Sequence, residues 1–452
     1  MIIALPNPIK KILQTLSSAG FQAYIVGGAV RDLLLNTPVK DWDFTTNALP
    51  EQIQKLFPET FYDNQFGTVG IAGKHLGDTE NPEAVYEITT YRSEGVYTDH
   101  RRPDTVKWGK TIEEDLQRRD FTINAMALNM ALDGEKVIDP YDGQKDIQAK
   151  LVRAVGDPAT RFQEDALRMM RAIRIGAQLG FAIEQKTLEA IAKNADLIQH
   201  ISWERIRDEF FKILISNYPE DGIELLASIG LLKYILPELL ECKGVQQAHH
   251  HVTDVWTHTL DAVATCPSKD PIVRLAVLLH DIAKPLTADT SGKNVTFYNH
   301  EVLGARIAKQ IGLRLRLSKK DAQKLFILVR WHMFMYDSHV TDAYIRRFIR
   351  RVGVENIPDM IALRIADRLG SGSKATSWRF EEMKARIEGQ LKQPFTMNDM
   401  AIDGDDLMKE LKLKPGPQLG KILHELFKII LEDPKKNTKE ELLQIAQSII
   451  TV

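Results

Sequence analysis

Cysteine is nearly absent from this 452-residue chain, with only Cys242 and Cys266 present. Two thiols make no disulfide framework, which excludes the small stapled secreted scaffolds and suits a reducing compartment. Long apolar runs are missing too, and none approaches the roughly 18 residues that span a bilayer. The opening MIIALPNPIKKIL lacks the charged region, apolar run and small-residue cleavage site of a signal peptide. Charge of one sign is also lacking: the formal net charge is -2, so any nucleic-acid surface is local rather than global. No internal repeat or low-complexity tract occurs. The expectation is a cytoplasmic protein with no membrane segment. What is present is ordinary for a globular protein, 44% hydrophobic and 27% charged residues, at a length suited to about three domains.

The most informative stretch is YIVGGAVRDLLLNTPVKDWDFTT, residues 24–46. An apolar strand runs into Gly27-Gly28, a short helical stretch follows from Ala29 to Leu35, and a second strand carries Asp41 and Asp43. Two glycines at a strand-to-helix turn let backbone approach a ligand closely, and the helix aims its free N–H groups there, which suits phosphate. Carboxylates at i and i+2 on a strand share one face. Each raises the other's pKa unless a cation neutralises them, and Mg²⁺ is the usual hard, oxygen-seeking choice. For the two aspartates alone, a solvated surface hairpin is the simpler reading; the whole string, a Gly-Gly turn beside paired carboxylates, has the layout of nucleotidyl transfer.

An amphipathic helix is expected over residues 8–20, ending at Gly20, and a short one over Pro50–Phe57. Strand-like runs follow at 66–73, 84–91 and 136–140, which together suggest a small α+β domain up to about residue 150. Glu87 is a lone acid in the run AVYEITTY: a third metal ligand, or an edge-strand charge. Residues 93–109, with Arg101-Arg102, read as a long functional loop. In LQRRDFTINAMAL, Arg119 suits a triphosphate and Asp120 a ribose hydroxyl or a helix cap.

From Asp157 the pattern becomes helical. Asp165, Arg168, Arg171 and Arg174 recur at i+3 and are expected to form one row on a helix, either salt-bridged or facing a ligand. Between 245 and 370, His258, His280, Asp281, His300, His332 and Asp367 each lie beside an apolar helical stretch. Imidazole and carboxylate together suit Mn, Fe, Ni or Zn. The run His249–His251 reads as an exposed turn. RLRLSKK (314–320) and RRFIRR (346–351) offer local positive faces, or plain helix solvation, and KPGPQLG (414–420) reads as a loop between helices.

Four strings together resemble the class II tRNA nucleotidyltransferase and bacterial poly(A) polymerase family: GGAVRDLLL with KDWDFTTNA, EITTYRSEGVYTDHRRPDTVKWG, RRDFTINAMA, and DPATRFQEDALRMMRAIRIGAQLGF. The segment HTLDAV…LLHDIAKP is similar to HD phosphohydrolases. The resemblance implies an α+β architecture: a small mixed-sheet nucleotidyltransferase head (1–150), a helical neck that binds RNA (151–240), an HD body (241–375) and a helical tail (376–452). It implies that Gly28 and Arg31 contact the incoming triphosphate, that Asp41 and Asp43 hold Mg²⁺, and that Arg119 binds the nucleotide. It also implies that Asp165, Arg168, Arg171 and Arg174 contact its base and phosphates, the substrates being CTP, ATP and the tRNA 3′ end.

The residues agree with this independently. Cytosine and adenine each present an amino donor beside a ring acceptor, so Asp165 can accept from the first and Arg168 donate to the second. Guanine and uracil present the reverse pattern and leave both side chains unpaired, a mismatch that discriminates strongly. The expected activity is template-independent addition of C, C and A, with an HD domain that hydrolyses phosphoesters at a two-metal site. The alternatives are an A-adding enzyme or poly(A) polymerase of the same family, an HD phosphohydrolase with a non-catalytic RNA-binding front half, and an idle RNA-binding scaffold.

Overall fold

The computed structural model describes all residues except 1–4, 58, 64–66, 94–106, 132–133, 248–252, 293, 335–338, 392–396 and 452. Arg101-Arg102 and His249–His251 therefore lie outside the described residues. The chain forms two compact units, Met1–Pro237 and Glu238–Val452.

In the first unit, helix α1 (Asn7–Ser18) buries Ile9, Ile12, Leu13 and Leu16, the apolar stripe of a helix laid against a core. Seven strands make one mixed sheet: β1 (Ala23–Val26), β2 (Asp43–Thr46), β3 (Thr60–Asp63), β4 (Thr68–Ala72), β5 (Val85–Thr90), β6 (Ala127–Ala131) and β7 (Gly134–Ile138). Their spatial order is β3-β4-β5-β2-β1-β6-β7. Only β2 and β5 run parallel; the other neighbours are antiparallel. The expected α+β head with its mixed sheet is present.

The register sets up the site. Gly70, Glu87, Asp43, Val26 and Ala127 stand side by side across five strands. Directly paired residues project to the same face, so Glu87 and Asp43 share one. Glu87 does not lie on an edge strand, because β5 sits between β4 and β2. Asp41, expected on the strand with Asp43, falls outside it: β2 begins at Asp43. The reason is that β1 ends at Val26, the partner of Asp43, where the chain turns at Gly27 into α2 (Gly28–Leu34).

Helix α3 (Pro50–Leu56) starts on its proline, as helices favour. Beyond the sheet come α4 (Ile112–Gln117), α5 (Pro158–Glu164), α6 (Leu167–Leu179) and α7 (Trp203–Leu214). The expected continuous row from Asp165 to Arg174 is broken. Asp165 ends α5 in an extended conformation, φ -142 and ψ 103, and its Oδ1 accepts from the Leu167 N–H at 3.0 Å. A short carboxylate that bonds nearby backbone competes with helix continuation.

The second unit is helical around α8 (Val255–Thr265), α9 (Pro271–Leu279), α10 (His300–Arg314), α11 (Lys319–Trp331), α12 (Ile357–Gly370) and α13 (Pro417–Glu432). Residues 272–279 of α9 are all buried, the mark of a central helix apolar all round. Helix α13 starts at Pro417, inside the stretch read as a loop. The RRFIRR string is only partly a solvated face: Arg346 is buried and donates to the carbonyls of Leu431 at 2.7 Å and Glu432 at 2.6 Å. A guanidinium there satisfies carbonyls left over at the end of α13. Where α8 and α12 meet, a Cβ on Gly370 would lie 2.7 Å from both the Ala262 nitrogen and the His258 carbonyl oxygen. Gly370→Ala must therefore force two ligand-bearing helices apart, and we expect a loss of about 1–3 kcal/mol in denaturant unfolding of this unit. Wild-type stability in that variant would show that the spacing is not set there.

Candidate nucleotide cavity and candidate metal centre

The head cavity, about 350 Å³, is lined by Asp43, Glu87, Asp120, Asp165, Arg92, Arg118, Arg119, Arg168, Arg171 and Arg205, with Thr68 and Thr89 beside them. The sheet supplies the carboxylate pair, α6 supplies Arg168 and Arg171, α7 supplies Arg205, and Arg118 and Arg119 follow the end of α4. Gly27 has φ 72, the left-handed region that glycine enters without strain. A Cβ there would lie 3.0 Å from Arg119 Nη1 and 3.6 Å from Asp43 Oδ2. The second glycine of the pair, Gly28, and Arg31 are not among the described lining residues. Arg31 is held by Asp32 at 2.7 Å and Asn124 at 2.8 Å.

The arginines are anchored individually. Arg171 grips Asp120 Oδ2 at 2.5 Å. Asp120 Oδ1 accepts from the Phe121 N–H at 2.9 Å, so Asp120 organises a turn and an arginine at once. Burial opposes its ionisation, yet Arg171 holds the carboxyl well below the usual carboxylate range. Arg168 pairs with Glu164 at 2.6 Å and donates to the Arg118 carbonyl at 3.0 Å. Arg174, expected on the ligand, turns instead to Glu209 at 2.6 Å, since a six-residue advance from Arg168 carries it about a third of a turn around the helix. Asp165 is bound by Arg205 at 2.7 Å.

Sequence alone did not single out Arg92, Arg118 or Arg205 as site residues. Arg118 had a signal, its place beside Arg119; Arg205, in the distant run WERIRDE, had none. Arg119 Nε and Arg205 Nη1 are buried with no partner among the described residues. Orphaned buried donors are costly, and an anionic ligand in this cavity satisfies them. Burial pushes the Asp43 carboxyl up, with Arg119 opposing and Asp41 adding to the rise. The donor set fits a divalent cation at Asp43, with Glu87 next to it in register.

In the second unit six expected ligands converge. His258, His280 and Asp367 form one group and Asp281, His300 and His332 another, with ligand atoms in each within 4.8 Å of one another. Asp281 faces both: Oδ2 lies 3.2 Å from His280 Nε2 and Oδ1 lies 3.4 Å from His300 Nε2. Three rings place Nδ1 against a carbonyl, His280 on Val277 at 2.6 Å, His300 on Phe297 at 2.7 Å and His332 on Val329 at 2.8 Å. In the neutral ring with its proton on Nδ1, each Nε2 offers a lone pair aimed inward. Nε2 atoms face each other at 3.1 Å (His258 and His280) and 3.4 Å (His300 and His332). Opposed lone pairs of this kind call for a cation, and the set fits two. Burial pushes His332 down to about 3, a neutral ligand. Burial opposes ionisation of Asp281, yet His280 and Lys284 hold it well below the usual range. Lys284, 2.6 Å from Asp281, belongs to the HDIAKP string, but its role is visible only in the fold. A cavity of about 510 Å³ opens on this centre, lined also by Arg364, Arg368, Phe297 and Tyr298.

A sheet-borne carboxylate pair ringed by arginines, in a chain that also carries a histidine-aspartate metal centre, defines a nucleotidyltransferase fused to an HD domain. Residues 23–153 match the Poly A polymerase head domain, 180–243 the RNA and SrmB-binding site of polymerase A, 250–371 the HD domain, and 314–446 the tRNA nucleotidyltransferase domain 2. The CCA-adding enzyme of Ligilactobacillus salivarius is 34% identical over 99% of this chain and 98% of its own. That of a Geobacillus species is 47% identical over 52% of this chain and 56% of its own. The crystal structure of the Bacillus stearothermophilus CCA-adding enzyme in complex with CTP superposes with a TM-score of 0.74 at 26% identity, covering 99% of this chain and 98% of that one. The chain belongs to the family of CCA-adding enzymes. Both the nucleotidyltransferase and HD families depend on metal ions, and no described helix is long and apolar enough to cross a membrane.

Two acids paired side by side, Asp43 and Glu87, repel each other and cost stability when the metal is away. Asp43→Asn is expected to raise the melting temperature of the chelator-treated protein by a few degrees, about what 1 kcal/mol does, and to erase the stabilisation given by added Mg²⁺. Scanning calorimetry with and without Mg²⁺ checks both; an unchanged Mg²⁺ response would remove Asp43 from the metal site.

Proposed function

We propose that this protein adds C, C and A to the 3′ end of tRNA from CTP and ATP. The observation that supports this most is the single cavity in which Asp43 and Glu87 face six arginines, two of them with unpartnered buried nitrogens. The 3′ oxygen of tRNA attacks the α-phosphorus, the bond to pyrophosphate breaks, and pyrophosphate leaves. Asp43, with Asp41 and with Glu87 as a third ligand, would hold Mg²⁺, which when bound would activate that oxygen and neutralise the leaving group. Arg119, Arg118 and Arg92 bind phosphate oxygens, as guanidinium forks do well. Asp120 fixes Arg171 for the same task. Asp165 and Arg168 read the base: a carboxylate has about four acceptor positions, so Asp165 can accept from an amino group while held by Arg205 and the Leu167 N–H. Gly28, Arg31 and Arg174 support the site from outside the cavity. The four-part division into head, neck, HD body and tail follows from the same reading, as does a cytoplasmic location beside tRNA and nucleotide pools.

The test offers pure protein tRNA that lacks its 3′ end, with each nucleoside triphosphate in turn, and reads products at single-base resolution. Wild type is expected to add two C and then one A, and Asp43→Ala to lose roughly a thousandfold or more in rate. Addition of A alone, or of a long A tail, would assign an A-adding enzyme or poly(A) polymerase instead.

For the second unit we propose hydrolysis of terminal or 2′,3′-cyclic phosphates at a centre holding two ions of Mn, Ni, Fe or Zn, which supply a metal-activated water. Lys284, Arg364 and Arg368 hold the phosphate. The double change of His280 and Asp281 to Ala should abolish both phosphoester hydrolysis and most bound transition metal while CCA addition persists. If wild type loaded with Mn²⁺ or Ni²⁺ hydrolyses no faster than the double variant, the centre is structural.

A further inference from the structure

Asp115 is fully buried in α4 and is not among the described residues lining the nucleotide cavity. It nevertheless holds three of the groups that do line it. Its Oδ1 accepts from Arg118 Nη2 at 2.6 Å, Arg118 Nε at 3.0 Å and the Arg92 backbone N–H at 3.2 Å. Its Oδ2 accepts from Arg119 Nη2 at 3.1 Å. One carboxylate thus keeps two guanidinium groups together that would otherwise repel each other, and ties them to the strand end at Arg92.

The geometry around Gly27 shows what Arg119 would do without that hold. Arg119 Nη1 and Asp43 Oδ2 both lie within 4 Å of the point where a Gly27 Cβ would stand. The absence of that Cβ leaves the path between them open. Asp43 stands directly beside Glu87 across the β2–β5 register, so two like charges share one face and the pair gains from any cation that reaches it. A guanidinium released from Asp115 is the nearest candidate, and an Arg119–Asp43 pair would fill the position meant for a metal ion.

We infer that Asp115 is a positioning residue that keeps Arg119 extended toward the triphosphate and off Asp43, so that the metal site stays open. This rests on the reading of Arg119 as a nucleotide ligand and Asp43 as a metal ligand. The low pKa of Asp115 is consistent with it: burial opposes ionisation, but Arg118 and Arg119 bring the carboxyl down to about 2, so it is charged throughout the working range.

The test uses the full-length protein. Asp115→Asn keeps the size and shape of the side chain but removes the charge. Loss of one charge-assisted hydrogen-bond system is worth about tenfold in binding. We expect the KM for CTP and ATP to rise by about that factor while kcat changes only a few-fold. The Mg²⁺ concentration for half-maximal addition should rise alongside. Independently of activity, Mn²⁺ binding to nucleotide-free full-length protein, followed by electron paramagnetic resonance in a background where His280 and Asp281 are changed to Ala so that the second unit's centre does not contribute, should weaken about tenfold. A general structural defect would not act selectively on the ion. In the double variant with Arg119→Gln there is no guanidinium to collapse, so Mn²⁺ affinity should return to the wild-type value. Asp115→Glu, which keeps the charge and guards against a variant that does not fold, should recover most of the Mn²⁺ affinity. Unchanged Mn²⁺ affinity in a folded Asp115→Asn protein overturns the inference. So does weakened affinity that Arg119→Gln fails to restore. Arg119→Gln alone separates the two layers: if it leaves the KM for nucleotide unchanged, the assignment of Arg119 is wrong, whatever Asp115 does.

Discussion

Carboxylates crowded onto one face must find positive charge or take up a proton, and the head is built around that requirement at Asp43. The β2–β5 register sets Glu87 beside it, which intensifies the demand for cations. The surrounding arginines, however, are not free to meet it. Each is restrained by its own carboxylate or carbonyl: Arg171 by Asp120, Arg168 by Glu164, Arg118 and Arg119 by Asp115. The result is a cavity where negative charge on the sheet and positive charge on the helices are held apart. A metal triphosphate carries both signs in the complementary order, so it can bridge them. Preorganised charge of this kind does not need to reorient as the reaction proceeds.

The second unit meets the same requirement by other means. Side-chain cations reach its aspartates at Asp281, through Lys284, and at Asp367, through Arg364. Three of its histidines are turned inward by backbone carbonyls rather than by carboxylates. The carbonyls come from residues three positions before each histidine, so orientation is local and follows from where each helix starts or ends. Metal-bound histidines commonly rely on such a bond through the other ring nitrogen.

How far the sequence spoke depended on whether a residue's role was local. The strand–turn–helix around Gly27, the proline-started α3 and the change to helix after Asp157 were all legible, because turn chemistry and periodicity are short-range. The histidine set was legible because each ligand sits beside an apolar helical stretch. The row from Asp165 to Arg174 was misread: spacing alone cannot reveal that Asp165 bonds the Leu167 N–H and interrupts the helix. Arg205 and Glu209, which bind Asp165 and Arg174 from α7, depend on how two helices pack, and no local pattern announces that. That Asp41 stands just outside the strand that Asp43 begins could not be seen from the string, because the end of β1 at Val26 sets that boundary.

Asp281 divides its two oxygens between two histidine groups, and in the two-ion centre we propose that division would govern how the ions fill it. An ion on one side draws electron density from the shared carboxylate and fixes its rotation, which both repels and prearranges a place for the next. The two occupancies are thus linked, and linkage is reciprocal. Titration with a single metal would follow a curve with a Hill coefficient different from one, and a mixed pair would have affinities found in neither pure pair. The chemical identity of such a centre would therefore be a property of the couple rather than of either ligand group alone.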